Sequence, residues 1–307
     1  ISGSNEPLHQ DPEALAVSRN VNSKLHFAEH APQAGLPVPR TEVYSKRAIR
    51  EGEADRMFSE LPNGVMVKLL GLAGSRNVFA VDSVADCLDQ IVEYDDAVQI
   101  LLQEKLDISQ WREMTVDLTI TPQDVSISNV RQILFAGGKW VGNYISPELE
   151  VPEAHKAVLM QVGAYARDHG HVAKEGINCG IDYFVSGDEV IVTEINARWT
   201  GGLFPAEFLR RLAITQPAVA FFDMVPEAQS EAVRTFQREH LFPAAGDSFA
   251  YVPMGFTPFA MEIEGAERYF VWQIVVGDFA SFVEAKRQAL TEDAFPTAEL
   301  ILQEALS

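Results

Sequence analysis

Residues 190–202 read VIVTEINARWTGG, and the second half of that stretch decides the fold. A strand places alternate side chains on opposite faces. Strict alternation would put Val190, Val192, Glu194, Asn196 and Arg198 on one side, and Ile191, Thr193 and Ile195 on the other. An acid, an amide and a cation then share a face that ends in two glycines. Upstream, GIDYFV (180–185) reads as a partner strand carrying Asp182, joined by a turn at Gly187-Asp188. A three-residue loop through Glu189 sets Ser186 opposite Val190 and Asp182 opposite Glu194. A two-residue loop sets Thr193 opposite Asp182 instead. In the first register two carboxylates stand about 5 Å apart at Cβ, an arrangement that destabilises a sheet. A divalent cation reverses that sign. Mg²⁺ suits the donors, because it takes hard oxygen ligands from one or two carboxylates together with substrate phosphates. The bland alternative is that Asp182, Glu194 and Asn196 decorate a solvated edge, since half-buried strands also alternate.

Working outward, Lys68 ends the alternating strand NGVMVKLL (63–70), directly before GLAGSR. Gly71 and Gly74 let backbone approach a ligand closely, and successive N–H groups in such a loop can cradle phosphate. An exposed hairpin, with NVFAVD (77–82) as its second arm, accounts for the same pattern. Lys24 opens a helix capped at Asn22 or Ser23 that runs through KLHFAEHA and stops near AGLPVP. His26 and His30, four apart on that helix, lack the third ligand that a zinc site needs.

The 307 residues are 47% hydrophobic and 22% charged, enough for about two globular domains. A net charge of −20 speaks against nucleic acid, whose phosphates require a basic surface. No apolar run is long enough to span a bilayer, and no basic segment followed by an apolar one opens the sequence, so no secretion signal is expected. Two cysteines, Cys87 and Cys179, outside any CxxC pair, fit a reducing cytoplasm. The start at Ile1 reads as a fragment or a processed chain.

Further elements alternate between the two classes. A helix is expected over 82–96, strands at 98–106 and 113–121, two more around Gly137-Gly138 within 125–145, and a helix over 153–174. Pro205 is expected at the first position of a helix through AEFLRRLA. Residues 1–20 are weakly patterned. Beyond 221 the pattern is mixed, with strands near YVPMGF and YFVWQIVVG. Interleaved helices and hairpins predict an α+β fold.

Taken together, SKLHFAEHAPQAGLPVPRT, VMVKLLGLAGSRNV, LLQEKLD and GIDYFV…VTEINARWTGG resemble, in order, the motifs of the ATP-grasp superfamily, over roughly residues 20–215. That superfamily includes D-alanine–D-alanine ligase, biotin carboxylase and glutathione synthetase. The greatest similarity is to carboxylate–amine ligases related to the pheganomycin-type peptide ligases. The resemblance implies two α+β lobes with nucleotide in the cleft between them. Residues 1–43 would be the remnant of a preceding domain with a leading helix, 44–105 the small lobe with the glycine loop, 106–220 the large lobe with the metal hairpin, and 221–307 an extension. It further implies that Lys24 and Lys68 contact ATP phosphates, and that Gly71, Gly74, Ser75 and Arg76 close over them. Glu104, Lys105 and Leu106 would face adenine, and Glu113 the ribose. Asp182, Glu194 and Asn196 would hold Mg²⁺, or Mn²⁺ in its place. Arg198, with Lys68, would be catalytic, facing the transferred phosphoryl group. The implied activity is an ADP-forming ligase that activates a carboxylate as an acyl phosphate and couples it to an amine. The substrates would be small molecules, the location cytoplasmic, and a homodimer stays open. A carboxylase, a thioester-forming ligase or a binding module without turnover are the alternatives. Gly180 departs from the pattern, because several relatives carry arginine there; Arg131 or Arg112 is the substitute at hand.

Overall fold

The protein is described by a computed structural model over residues 11–70, 78–243, 248–263 and 265–306. The chain divides into two units, one formed by 1–129 with 151–200 and the other by 130–150 with 201–307.

The first unit opens with helix α1 (Pro12–Val21), in a stretch with little apolar periodicity. Local chemistry starts it: Asp11 caps the end by accepting from Glu13 N–H at 2.9 Å, and Pro12 takes the first turn. Helix α2 (Lys24–His30) follows, capped by Ser23 Oγ, which accepts from His26 N–H at 3.3 Å. Next come β1 (Thr41–Ser45), α3 (Lys46–Arg50), α4 (Asp55–Glu60), β2 (Val65–Leu69), β3 (Val78–Val81), α5 (Val84–Gln90) and β4 (Gln99–Glu104). The four strands form an antiparallel sheet in the order β1-β4-β2-β3. Val65, Val67 and Leu69 alternate onto one face with Ile100 and Leu102, against Ile49, Met57 and Cys87 of the helices and Ile91 just after α5. Truncating Met57 or Ile100 to alanine here would cost about 2–5 kcal/mol. Alternation leaves Lys68 on the opposite face.

The unit continues through β5 (Arg112–Ile120) and the start of β6 (Val125–Ala136). After β7 (Lys139–Ile145) of the second unit it resumes with α6 (Glu153–Asp168), β8 (Ile177–Ser186) and β9 (Glu189–Asn196). Strand β8 lies between β5 and β9, antiparallel to both. Helix α6 buries Leu159, Val162 and Ala166. Its Gly163 lies so close to the strands that a Cβ there would come 2.4 Å from Val125 Cγ1.

In the second unit β7 pairs with the end of β6 and with β10 (Ala218–Pro226), after helix α7 (Leu203–Arg211). Helix α8 (Ser230–Glu239), β11 (Phe249–Phe256), β12 (Met261–Ile263), β13 (Ala266–Gly277), α9 (Phe279–Ala289) and α10 (Pro296–Leu300) complete it. Strand β13 pairs with β10, β11 and β12. Strand β10 buries Val219 and Phe221 in one core cluster and Ala218 and Ala220 in another, so both its faces are covered. Helix α7 begins two residues before Pro205, with Gly202 as N-cap, which corrects the expected start.

Candidate functional site

The β8–β9 hairpin differs in register from the three-residue loop of the sequence reading. Ser186 pairs with Glu189 across a two-residue turn, and Gly187 adopts a φ of 57°, the sign that a glycine-first hairpin turn requires. Val185 then faces Val190, and Tyr183 faces Val192. A β-bulge follows, so that Asp182 pairs with Glu194 after all. Thr193 is the inserted residue, and its Oγ1 donates to Asp182 O at 3.1 Å. The bulge also shifts the alternation by one, as bulges re-aim side chains. Val190 and Val192 are buried before it, Ile195 and Ala197 after it. Val190 and Val192 therefore do not share the face of Glu194, contrary to strict alternation. The edge of β9 is covered where Val192 N–H donates to Pro37 O at 2.7 Å.

The paired acids sit among cations. Lys24, the first residue of α2, forms an ion pair with Glu194. Asn196 Nδ2 donates to Asp182 Oδ2 at 2.9 Å, and Asn196 is buried. Burial and then Glu194 push the Asp182 carboxyl up. Burial works in the same direction on Glu194, but Lys24 and then Lys68 outweigh it and hold that carboxylate below its ordinary value. Lys68 is 8% exposed, and burial followed by Lys24 draws its ammonium down to about 8, against Glu194, Glu113 and Asp182. Glu113 lies on β5 opposite Phe184; burial and then Asp182 push it up to about 8, with Lys68 opposing.

A narrow cavity opens on the Lys24–Glu194 side of this cluster. Lys24, Lys68 and Glu194 line it together with Thr41, Gln103 and Thr193. The donor set fits a hard divalent cation: two carboxylates and an amide oxygen leave further positions for phosphate oxygens. Lys24 already places a positive charge on Glu194. Among the described residues no group of three His, Cys, Asp or Glu could hold a metal. His26 and His30 instead stack at 4.2 Å, with His169 edge-on at 4.9 Å.

The remaining residues singled out from the sequence fall as follows. Glu104 N–H donates to Arg40 O at 2.8 Å, and Lys105 N–H donates to Gly64 O at 3.4 Å, so both tie the end of β4 to its neighbours; half-buried Leu106 follows. Gly71, Gly74, Ser75 and Arg76 lie outside the described residues. Arg198 Nη1 donates to Asn22 Oδ1. Arg112 is exposed at the start of β5, and Arg131 belongs to the second unit, buried below Gly202. Trp199 is exposed and Trp140 half-buried.

The sequence reading missed two supports. From α1, Ser18 Oγ donates to Ala197 O at 2.5 Å, close to where Asn22 receives Arg198. Across the sheet, buried Asp117 accepts from Asn178 Nδ2 at 3.0 Å and Thr200 Oγ1 at 3.1 Å, while Asn178 Nδ2 also donates to Arg198 O at 2.9 Å. An acid inside the apolar strand EMTVDLTIT was the available signal. The same bracket accounts for Gly180: a Cβ there would lie 2.2 Å from Thr200 Cγ2, so threonine occupies the space an arginine would need.

No protein-family model matches the sequence, and no curated protein matches it. Solved structures do. The chain superposes on a carboxyaminoimidazole ribonucleotide synthase from Aspergillus clavatus complexed with ATP, with TM-score 0.60 and 15% identity over 98% of this chain and 79% of that one. A phosphoribosylamine–glycine ligase from Thermotoga maritima gives TM-score 0.60 and 14% identity over 94% and 82%. A second Aspergillus clavatus structure, in complex with ADP and 5-aminoimidazole ribonucleotide, gives TM-score 0.58 and 13% identity over 89% and 72%. The chain thus has the mixed α+β ATP-grasp fold.

Proposed function

We propose that the protein is an ATP- and Mg²⁺-dependent ligase that joins a carboxylate to an amine, releasing ADP and phosphate. One observation carries the reading: the bulge returns Asp182 to Glu194, with Asn196 bonded to Asp182 and Lys24 paired with Glu194, where Lys24, Lys68 and Glu194 line one cavity. Phosphoryl transfer demands positioning and neutralisation of charge more than covalent help from the protein. The fold, shared with a structure complexed with ATP, supports that chemistry.

In this reading a substrate carboxylate oxygen attacks the γ-phosphorus and ADP leaves. The amine then attacks the acyl carbon, phosphate leaves, and the amine gives up a proton. Asp182, Glu194 and Asn196 would hold Mg²⁺ (or Mn²⁺), which neutralises phosphate charge when bound. Lys24 exchanges Glu194 for phosphate, and Lys68 contributes a second cation from the opposite sheet. Arg198, released from Asn22, braces the transferred group through a charge-assisted contact. Glu104, Lys105 and Leu106 serve adenine and Glu113 the ribose, with Gly71, Gly74, Ser75 and Arg76 over the phosphates. The division into a small lobe over 44–105, a large lobe over 106–220 and an extension beyond 220 belongs to the same reading. So do the kinship with pheganomycin-type peptide ligases, the cytoplasmic location and a homodimer. Among the described residues no helix is long and apolar enough to cross a membrane.

Phosphate release from MgATP, measured across amino acids and dipeptides, tests the proposal: one acid–amine pair should stimulate it. A nucleotide-binding module without turnover is the second reading, favoured by the Arg198–Asn22 bond. ATP binding with no stimulated release by any pair would select it.

A further inference from the structure

The second unit carries an aromatic row that the ligase chemistry leaves unused. Trp272 and Phe270 alternate onto one face of β13, and Phe222 of β10 pairs with Trp272. The Phe222 ring stacks on both, at 5.3 Å and 20° in each case. Phe204 of α7 meets Trp272 edge-on at 6.2 Å. The row is open: Phe270 is 39% exposed and Phe204 44%. On the other side of Trp272 its partner in β11 is Gly255, at a bulge, and a Cβ added to Gly255 would meet nothing within 4 Å. The face therefore has a recess beside the indole.

A cation stands in the same register. Arg268 precedes Phe270 by two positions, so it shares that face, about 13 Å along the strand from Trp272. Its Nε is buried and has no hydrogen-bond partner among the described residues. A buried donor left unmade is costly, so this one is poised for an acceptor. Rings for stacking and a guanidinium for a carboxylate describe a ligand that has both.

We propose that this face binds an aromatic amino acid, or a short peptide ending in one, with its ring on the Phe270–Phe222–Trp272 row and its carboxylate on Arg268.

Binding is tested on the full chain without nucleotide, by calorimetry and tryptophan fluorescence, with L-phenylalanine, L-alanine and L-phenylalaninamide as probes. Phenylalanine should bind, and the probes lacking ring or carboxylate should bind roughly ten-fold or more weakly, the scale of one contact to a charged group. Arg268→Met should bring phenylalanine down to the level of its amide. Gly255→Leu, which fills the recess without a clash, should weaken phenylalanine while leaving the MgATP-induced thermal shift unchanged. Equal binding of phenylalanine and alanine, or full affinity in both variants, would overturn the proposal. So would a change of native mass from dimer to monomer in Arg268→Met, which would make the face a contact between copies. Phosphate release keeps this proposal apart from the ligase reading: phenylalanine binding with no release stimulated by any acid–amine pair supports this site and overturns the ligase reading, whereas stimulated release without phenylalanine binding supports the ligase reading and overturns this site.

Discussion

Replacing Lys68 with methionine should stabilise the nucleotide-free protein while disabling it. Lys68 is 8% exposed, and its ammonium is drawn from 10.5 to about 8, first by burial and then by Lys24. At about 1.4 kcal/mol per pH unit, that drop corresponds to a cost of about 3 kcal/mol for keeping the charge in the folded state. The pull of Glu194, Glu113 and Asp182 is already contained in that figure. Because the folded value lies below the unfolded one, the cost is fully present below pH 8 and fades as pH rises through 10.5. Methionine keeps the apolar stem and removes the charge. With an unfolding entropy of about 2.1 cal/mol/K per residue over 307 residues, the gain corresponds to a melting temperature higher by about 5 °C at pH 7. The same variant should lose most of the thermal shift that wild type gains from MgATP, since ligand stabilisation follows affinity. Differential scanning calorimetry with and without MgATP reads both effects. A Lys68→Met protein that melts lower than wild type in the absence of nucleotide, or that keeps the whole MgATP shift, would refute the reasoning.

Gly180→Ala should destabilise by about 1–3 kcal/mol, the usual range for overpacking, and Thr200→Ser in the same chain should recover most of it. That second change removes the Cγ2 in the way while keeping the hydroxyl on Asp117; chemical denaturation of the double-mutant cycle checks the coupling. Glu113→Gln should raise the melting temperature of metal-free protein increasingly as pH climbs from 4.5 to 8. The folded carboxyl titrates near 8, so the unfolded chain releases its proton first and ionisation penalises the fold across that window. A melting series by pH that shows a constant difference would contradict the assignment. Asn22→Ala should free the Arg198 guanidinium; if that bond restrains the site, stimulated phosphate release changes while the MgATP thermal shift is kept.

The sequence made the hairpin legible because Glu194, Asn196 and the GD turn are chemically odd for a buried strand. It concealed the bulge, because the insertion of Thr193 depends on how β8 and β9 twist together rather than on either strand alone. Strand β10 escaped notice for a related reason. AVAFFDMVP is covered on both faces, so it lacks the period that marks a half-buried strand. Helix α1 buries only Ser18 and Val21, too few for an apolar stripe, although Asp11-Pro12 announced its start. Among candidate site residues, Lys24 and Lys68 stood out through the resemblance, because a place beside a helix start or a glycine turn is a weak signal by itself. Asn22 and Asp117 did not stand out, because their partners, Arg198 and Thr200, are distant along the chain.

The central claim, that Asp182 and Glu194 meet in order to share a divalent cation, is tested most directly by Mn²⁺ titration followed by electron paramagnetic resonance in the presence of ATP. Wild type and the exposed control Glu189→Gln should bind the ion alike. Glu194→Gln should lose it while keeping its circular dichroism spectrum. Wild-type Mn²⁺ affinity in Glu194→Gln would contradict the account.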